Sequence, residues 1–576
     1  MTKAAIKTEE STEGQPSLSL EVLLYALVVL LAAWLRFAQL DFYPLSDREA
    51  EHALAASASA ESPSDSSAHQ ALTSLAFAFR GESNSTARWA SAIAGVALVL
   101  TPALLRRQMG RGPAFLSALL LAISPILWTA SRTADGTMLA ALGVTAAFFL
   151  LVSGRIEWSG AFLGLALVSG PTALTGLTSI VAGVAVFAVL RRRRASEDTP
   201  LAYPIPYSTD WRKGFATGGL VALIVATGAG FFPESSQGIF EGLGSWVNGW
   251  FQSSGIALGT LLVMLIAYEP LVSVAGGIGI VGRFRKGDAF EAFLASWAVG
   301  SLLVLILYRG RQPSDMLWII IPLTVLAASV ISALLNKIFR PESVWLAVGF
   351  TGAIVALMAF AYLQLRAGVG AAESIQTFLG FSTHLAAAAM GTGLAVLALI
   401  LLAVGWSKDV AVSIAGAAAI LVLLGAGISS GAALNFSEPT ARELYRPQAS
   451  TLGLTALRES LQTLSRAETG QPDALSIEMR DRPSLALAWE LRDYPIFESS
   501  GSPAIVIIRE GAPLPGEYLG QSVTIGESWG WIGGLPPDLL SWLVVRDMPT
   551  LSDRWVLLVR KDVAGVEDLL PIELES

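Results

Sequence analysis

Apolar residues fall along this chain in long runs separated by short polar breaks. Thirteen runs lie at about 20 to 40, 86 to 106, 113 to 130, 134 to 153, 156 to 170, 173 to 190, 214 to 232, 254 to 280, 288 to 307, 315 to 334, 344 to 363, 383 to 404 and 410 to 431. Most are long enough to cross the roughly 30 Å hydrocarbon layer as helices. The fifth and sixth are short and split by Ser169-Gly170-Pro171, which allows two helices or one broken one. The first run follows a polar leader holding Lys3 and Lys7; it exceeds a typical signal core, no clear small-residue cleavage site follows it, and it reads as a signal anchor.

Charge separates the two counts, because Lys and Arg concentrate in short cytoplasmic loops. With thirteen helices, one side receives eighteen basic residues, from Lys3 through Arg106, Arg155, Arg191 to Arg194 and Arg283 to Lys408. The loops on the other side hold seven: Arg48, Arg80, Arg88, Arg132, Arg309, Arg311 and Arg366. Fusing the fifth and sixth runs would move the Arg191 to Arg194 cluster outside. The expectation is therefore a multi-pass protein of the cell membrane, with the N-terminus cytoplasmic and the tail extracytoplasmic.

The outer side also carries the long connections. Residues 41–85 form a first outer loop far longer than the usual four to six residues, and such loops are commonly functional or disordered. Asp47 to Ala60 has a helix-forming composition, and Gln70 to Phe79 places Leu72, Leu75 and Phe79 at amphipathic spacing, with a Ser-rich hinge at 57 to 67 between them. The second helix is suited to lying along the bilayer surface. After Asn435 the pattern changes to a helix near 449 to 465, a β-type run at Ala474 to Met479, a helix at Leu485 to Leu491, and β-type runs at Ala504 to Ile508 and Trp555 to Val559. The expected fold is mainly α: a polytopic bundle over 20–435 behind a leader at 1–19, with a small α/β domain over 436–576 on the outer face. That domain is either a lid or an appendage.

Composition supports this picture. Of 576 residues, 53% are hydrophobic and 15% charged, against about a quarter charged in soluble domains. A net charge of -8 argues against a nucleic-acid partner, which requires clustered exposed cations. With no Cys there are no disulfides or thiolate sites, and three His make a His-built metal centre an unpromising idea.

Four charged clusters carry candidate chemistry. Asp47, Arg48, Glu49 and His52 stand just after the first membrane helix, where a carboxylate near a half-buried Arg serves as general base or metal ligand, or else simply opens a well-capped helix. Ser131-Arg132-Thr133-Ala134-Asp135 is a short outer loop in which Arg132 suits a phosphate and Asp135 orients it or binds a metal, the alternative being a capping ion pair. Arg309 and Arg311 lie on the side that the positive-inside bias disfavours, and bind a phosphate or snorkel to headgroups. Glu269, before Pro270, sits inside the eighth run with a structural or catalytic role. Gly277-Ile278-Gly279-Ile280-Val281-Gly282 fits a dinucleotide fingerprint but ends a membrane helix, and is rejected. Asn84-Ser85-Thr86 and Asn435-Phe436-Ser437 fit a glycosylation sequon that arises readily by chance.

The order of features over roughly 20 to 435 resembles the glycosyltransferase C superfamily, in its branch of protein O-mannosyltransferases and aminoarabinose transferases (glycosyltransferase family 39). The features are Leu35-Arg36-Phe37, the acidic start of the long loop, Arg88, Ala122-Ile123-Ser124-Pro125, the Ser131 to Asp135 loop, Ser169-Gly170-Pro171, and Arg309 to Ile321-Pro322-Leu323. The tail segment Leu487 to Tyr494 resembles tails of related proteins. The resemblance implies transfer of a sugar from a polyprenyl-phosphate donor to a glycan, lipid or protein acceptor on the outer face. It also implies a first-loop acid acting as base or metal ligand, with a divalent ion as an optional cofactor, and basic residues holding the lipid phosphate. Carried over by position, Glu49 matches the second residue of an Asp-Glu pair; the first position is Arg48, and Asp47 is displaced by one, about 100° around a helix. Asp47 and Glu49 are thus the expected catalytic acids, with Arg132, Arg309 and Arg311 expected to converge on the donor phosphate. The rival reading is a non-catalytic relative that binds or moves a lipid-linked glycan. A secondary transporter is disfavoured by the lack of an internal repeat.

Overall fold

A backbone crossing lipid must satisfy its own N–H and C=O groups, and all thirteen apolar runs contain helix. The computed structural model describes residues 20–57, 64–195, 210–286, 288–338, 344–370, 377–378, 381–438, 440–497, 503–511, 518–531 and 535–563. The leader at 1–19, the hinge centre at 58–63 and Arg340 lie outside them. Among the described residues eight helices are long and apolar enough to cross a membrane, beginning with α1 (Leu20–Phe37). The run at 254 to 280 is not one straight helix: Leu258–Tyr268 and Pro270–Lys286 meet at a bend of 103°. Pro270 has no N–H to continue the ladder, and Glu269 caps the first segment. Arg111–Ile123, Thr137–Val152 and Ile156–Leu167 have 13, 16 and 12 residues, so they reach only about 18–24 Å. Helix formation thus follows the apolar runs, while crossing length does not.

Small residues let the short helices pack closely. A Cβ on Gly160 would meet the Gly214 carbonyl oxygen at 2.0 Å, and one on Gly164 would meet that of Gly218 at 2.1 Å, so Ile156–Leu167 and Trp211–Ala226 touch backbone to backbone. The break before Pro171 separates the fifth and sixth runs as two helices, with Gly170 at φ +94°.

The two ends of the bundle differ in charge. Glu21, at the start of α1, pairs with Arg106 and Arg111 at 3.9 and 3.6 Å. Ser153 donates to the Leu104 carbonyl, which brings the Arg155 turn to that same end, and Glu157 there pairs with Lys213. The other end of α1 leads into the first loop, whose helices are α2 (Asp47–Ala56) and α3 (Ser67–Arg80). Both expected loop helices form.

The tail folds as a six-stranded mixed sheet in the order Gln448–Ser450, Tyr518–Trp529, Thr550–Arg560, Ile505–Arg509, Ile477–Met479 and Ile496–Phe497. Ile477–Met479 runs parallel to both of its neighbours and the other pairings are antiparallel. The helix Leu452–Thr469 and the helix Leu485–Leu491 contribute Leu457, Leu461 and Trp489 to a core that also takes Ile505, Ile507 and Leu557 from the strands. The same core continues into Ala50, Ala53, Phe77, Ala87 and Ala134 of the membrane part. The tail is therefore docked. Phe77 stacks on Trp489 at 5.8 Å, Trp489 donates to Asn84 at 2.7 Å, and Arg492 pairs with Glu82 at 3.1 Å. Its strand at Gln448–Ser450 is pinned to the first loop by a bond from Ser450 Oγ to the Leu45 carbonyl.

Candidate functional site

α2 begins with a reciprocal cap. Ser46 Oγ accepts from the Glu49 N–H, while a Glu49 carboxylate oxygen accepts from the Ser46 N–H at 3.0 Å. Glu49 also accepts from Arg88 Nε at 2.8 Å, from a second Arg88 nitrogen at 3.1 Å and from the Ala134 N–H at 3.0 Å. Burial alone would raise its pKa, but Arg88 and these N–H donors outweigh burial and lower it, so the carboxylate stays ionised. Arg88 spends its other donors on the carbonyls of Leu40, Tyr43 and Pro44. Arg88 and Glu49 thus form a closed buried pair that fixes the first loop to the 131–136 turn.

Around that pair lies a cavity of about 250 Å³. It is walled by the first loop, the turn from Arg132 to Thr137, the segment Gln312 to Ser314, and Tyr445 to Ser450 from the start of the tail. Arg48 is exposed into it, and no acceptor among the described residues holds its guanidinium by a hydrogen bond or ion pair. The protein walls around it desolvate the guanidinium, which would lower its pKa, but the carboxylates of Asp135, Asp65 and Asp315 raise it. Asp135 lines the same cavity. One Asp135 oxygen accepts from the Thr137 N–H at 3.0 Å, and the other receives no protein donor among the described residues. Arg132 donates to the carbonyls of Leu35, Ala38 and Gln39, which closes the end of α1. Burial, and then repulsion from Arg88 and Arg446, lowers its pKa to about 10, leaving it a cation at neutral pH. Arg446 lies over the Tyr43 ring at 4.4 Å, and burial followed by the Asp135 charge pushes the Tyr445 phenol up.

Four of the residues singled out in the sequence therefore meet: Arg48, Glu49, Arg132 and Asp135. The others do not join them. Asp47 turns toward the tail domain, where it accepts from the Ala486 N–H at 2.9 Å and lines a neighbouring cleft of about 460 Å³ with Arg482, Arg509 and Asp553. Arg311 donates to the carbonyls of Ile256, Leu305 and Ile306 and so caps the helix Ala289–Leu307, and Arg309 is exposed away from the cavity. The expected convergence of Arg132, Arg309 and Arg311 does not occur, because the 308–315 loop offers Gln312, Pro313 and Ser314 instead. His52 is buried against Ser64, at 2.6 Å, and against the ring of His69. Glu269 accepts from Ser124 Oγ at 2.5 Å and from the Ile126 N–H at 3.1 Å, which ties the 103° bend to the start of the helix Pro125–Ala130.

Sequence reasoning missed Tyr445 and Arg446. The signal was present in Leu444-Tyr445-Arg446-Pro447, an aromatic and a cation close behind the last membrane helix. As to a metal, no group of three His, Asp, Glu or Cys side chains among the described residues is placed to hold one. Glu49, the acid best placed to ligate, has both oxygens engaged. The donor set does not fit a divalent ion.

The family profile described as dolichyl-phosphate-mannose-protein mannosyltransferase matches residues 66–206. Among solved structures, ArnT from Cupriavidus metallidurans bound to undecaprenyl phosphate superposes with a TM-score of 0.50 at 15% identity, over 94% of this chain and 99% of that one. The apo state of the same protein gives 0.52 at 14% identity with the same coverage. No curated protein sequence matches the chain. At these identities the likeness establishes the fold: this multi-pass bundle with its small sheet domain is built like ArnT.

Proposed function

We propose that the chain is an integral-membrane glycosyltransferase that moves a sugar from a polyprenyl-phosphate donor to an acceptor at the outer face of the cell membrane. The observation that carries this reading is the cavity lined by both the Arg48 guanidinium, with its donors free, and Asp135, with one oxygen free of protein donors among the described residues. A polyprenyl phosphate cannot leave the bilayer, so its headgroup waits at the interface. Arg48, Arg132 and Arg446 line the cavity as cations. Arg88 does not add to that charge, because Glu49 neutralises it. The ArnT fold, solved with undecaprenyl phosphate, and the match of 66–206 to a dolichyl-phosphate-mannose family support the same donor class.

In this reading the acceptor hydroxyl or amine attacks the anomeric carbon and the bond from that carbon to the phosphate oxygen breaks. The bonding pair leaves with the polyprenyl phosphate, whose charge the arginines stabilise. Asp135 takes the acceptor proton. Glu49 is a positioning residue, since its bond to the Ala134 N–H sets the turn that carries Asp135. The N-terminus is cytoplasmic and the tail domain extracytoplasmic, following the basic bias of the loops.

The test is sugar transfer from a synthetic polyprenyl-phosphate sugar by the purified full chain. Asp135→Asn is expected to lower turnover by about 10²-fold or more while donor binding persists. Turnover at the wild-type rate in that variant would overturn the assignment of the base. A second reading, binding without transfer, is favoured by Arg48 standing where the first acid of the pair is expected. It predicts donor binding with no turnover across a panel of acceptors in the wild-type chain.

A further inference from the structure

We propose that Arg48 is a built-in cation doing the work of a divalent metal in this cavity, so that the donor phosphate is held, and its leaving charge neutralised, without a metal ion. This rests on the reading of the cavity as a polyprenyl-phosphate site. Three observations carry it. First, Arg48 lies in the opening turn of α2 and is exposed into the cavity, with no acceptor among the described residues spending its N–H groups. A planar guanidinium with free donors is suited to bidentate phosphate recognition. Second, it stands within the field of Asp135, Asp65 and Asp315, the electrostatic position of a cation held by carboxylates. Third, the acids that would have to ligate a metal have few oxygens left free, one of them on Asp135. Glu49 is engaged by Arg88, Ser46 and Ala134, Asp315 accepts from the Gln312 N–H at 2.8 Å, and Asp135 accepts from the Thr137 N–H. The oxygens left over are too few for a hard divalent ion, which takes about six, and the ion would face the repulsion of Arg48.

The experiment measures binding of undecaprenyl phosphate to the full chain in lipid nanodiscs, in EDTA and in millimolar Mg²⁺, Mn²⁺ or Zn²⁺. Wild type is expected to bind equally, within about threefold, in all four conditions. Arg48→Ala and Arg48→Gln are expected to lose about tenfold to hundredfold in EDTA, as for the loss of a charge-assisted hydrogen bond, and Arg48→Lys less. Millimolar Mg²⁺ should restore part of the lost affinity in Arg48→Ala, whose carboxylates then lack their counter-charge, and leave wild type unchanged. A wild-type chain that binds only with added metal would overturn this inference while sparing the lipid-phosphate reading. Wild-type affinity in both Arg48→Ala and Arg48→Gln, each verified as folded by its melting curve, would overturn it too. A folded wild-type chain that binds no undecaprenyl phosphate in any condition would overturn both together.

Discussion

Glu49 receives five donor contacts on two oxygens, and that single side chain explains why the acidic start of the first loop was legible while its roles were not. Sequence spacing shows that charges cluster, but whether a carboxylate is free depends on partners far along the chain, here Arg88 and the Ala134 N–H. The same holds for Asp47, whose partner Ala486 is 439 positions away. Breaking one half of a buried pair leaves the other charge uncompensated, so Glu49→Gln or Arg88→Met should cost about 3–5 kcal/mol, measured as a lower unfolding midpoint in detergent. The pH dependence has two parts. Glu49 has a folded pKa below its unfolded value, so its contribution is present above the ordinary carboxylate range and is lost as pH falls through the folded value. His69 is lowered to about 3 by burial, then by His52, so between its usual 6.5 and 3 the unfolded chain binds a proton that the folded chain does not. Stability should therefore fall as pH drops below about 6.5, and His69→Gln should flatten that part of the curve in thermal melts taken from pH 7.5 to 4.5.

Helices were the most readable level, because an apolar run in lipid has one way to satisfy its backbone. The bend at Glu269 was not readable as a bend. Pro270 marks a break, but the 103° angle is held by Ser124 and Ile126 on another helix. In the tail, Leu485–Leu491 and the strand cores at 477–479, 505–509 and 550–560 follow their apolar runs. The strand Tyr518–Trp529 escaped notice, since Gly520, Gln521, Ser522 and Thr524 dilute its β-type pattern. Docking of the tail on the first loop turns on Trp489, which is fully buried, stacks on Phe77, bonds Asn84 and lies under Arg492 at 3.8 Å. Trp489→Ala should cost about 3–5 kcal/mol locally, seen as faster amide exchange in α2, α3 and the helix Leu485–Leu491 with the membrane spans unchanged.

For the whole molecule, the two ends of the bundle are distinguished by which loops meet there: Glu21 with Arg106 and Arg111 at one end, the first loop with the tail sheet at the other. The absence of native Cys makes their sidedness directly measurable. With a membrane-impermeant maleimide on intact cells, Glu459→Cys should label and Lys408→Cys should label only after permeabilisation. Both positions are exposed, so reversal of the pattern would invert the topology. The tail sheet is a lid in the sense that Gln448, Ala449 and Ser450 wall both the cavity and the cleft beside it. The proposed function places the donor phosphate in that cavity, and the position of the phosphate decides it. The most direct measurement is a cryo-electron microscopy structure of the full chain with undecaprenyl phosphate in nanodiscs. Phosphate density is expected within hydrogen-bonding distance of the Arg48 guanidinium and beside Asp135. Density at Arg309 and Arg311, or at the Arg106 end of the bundle with the Arg48 cavity empty, would contradict it.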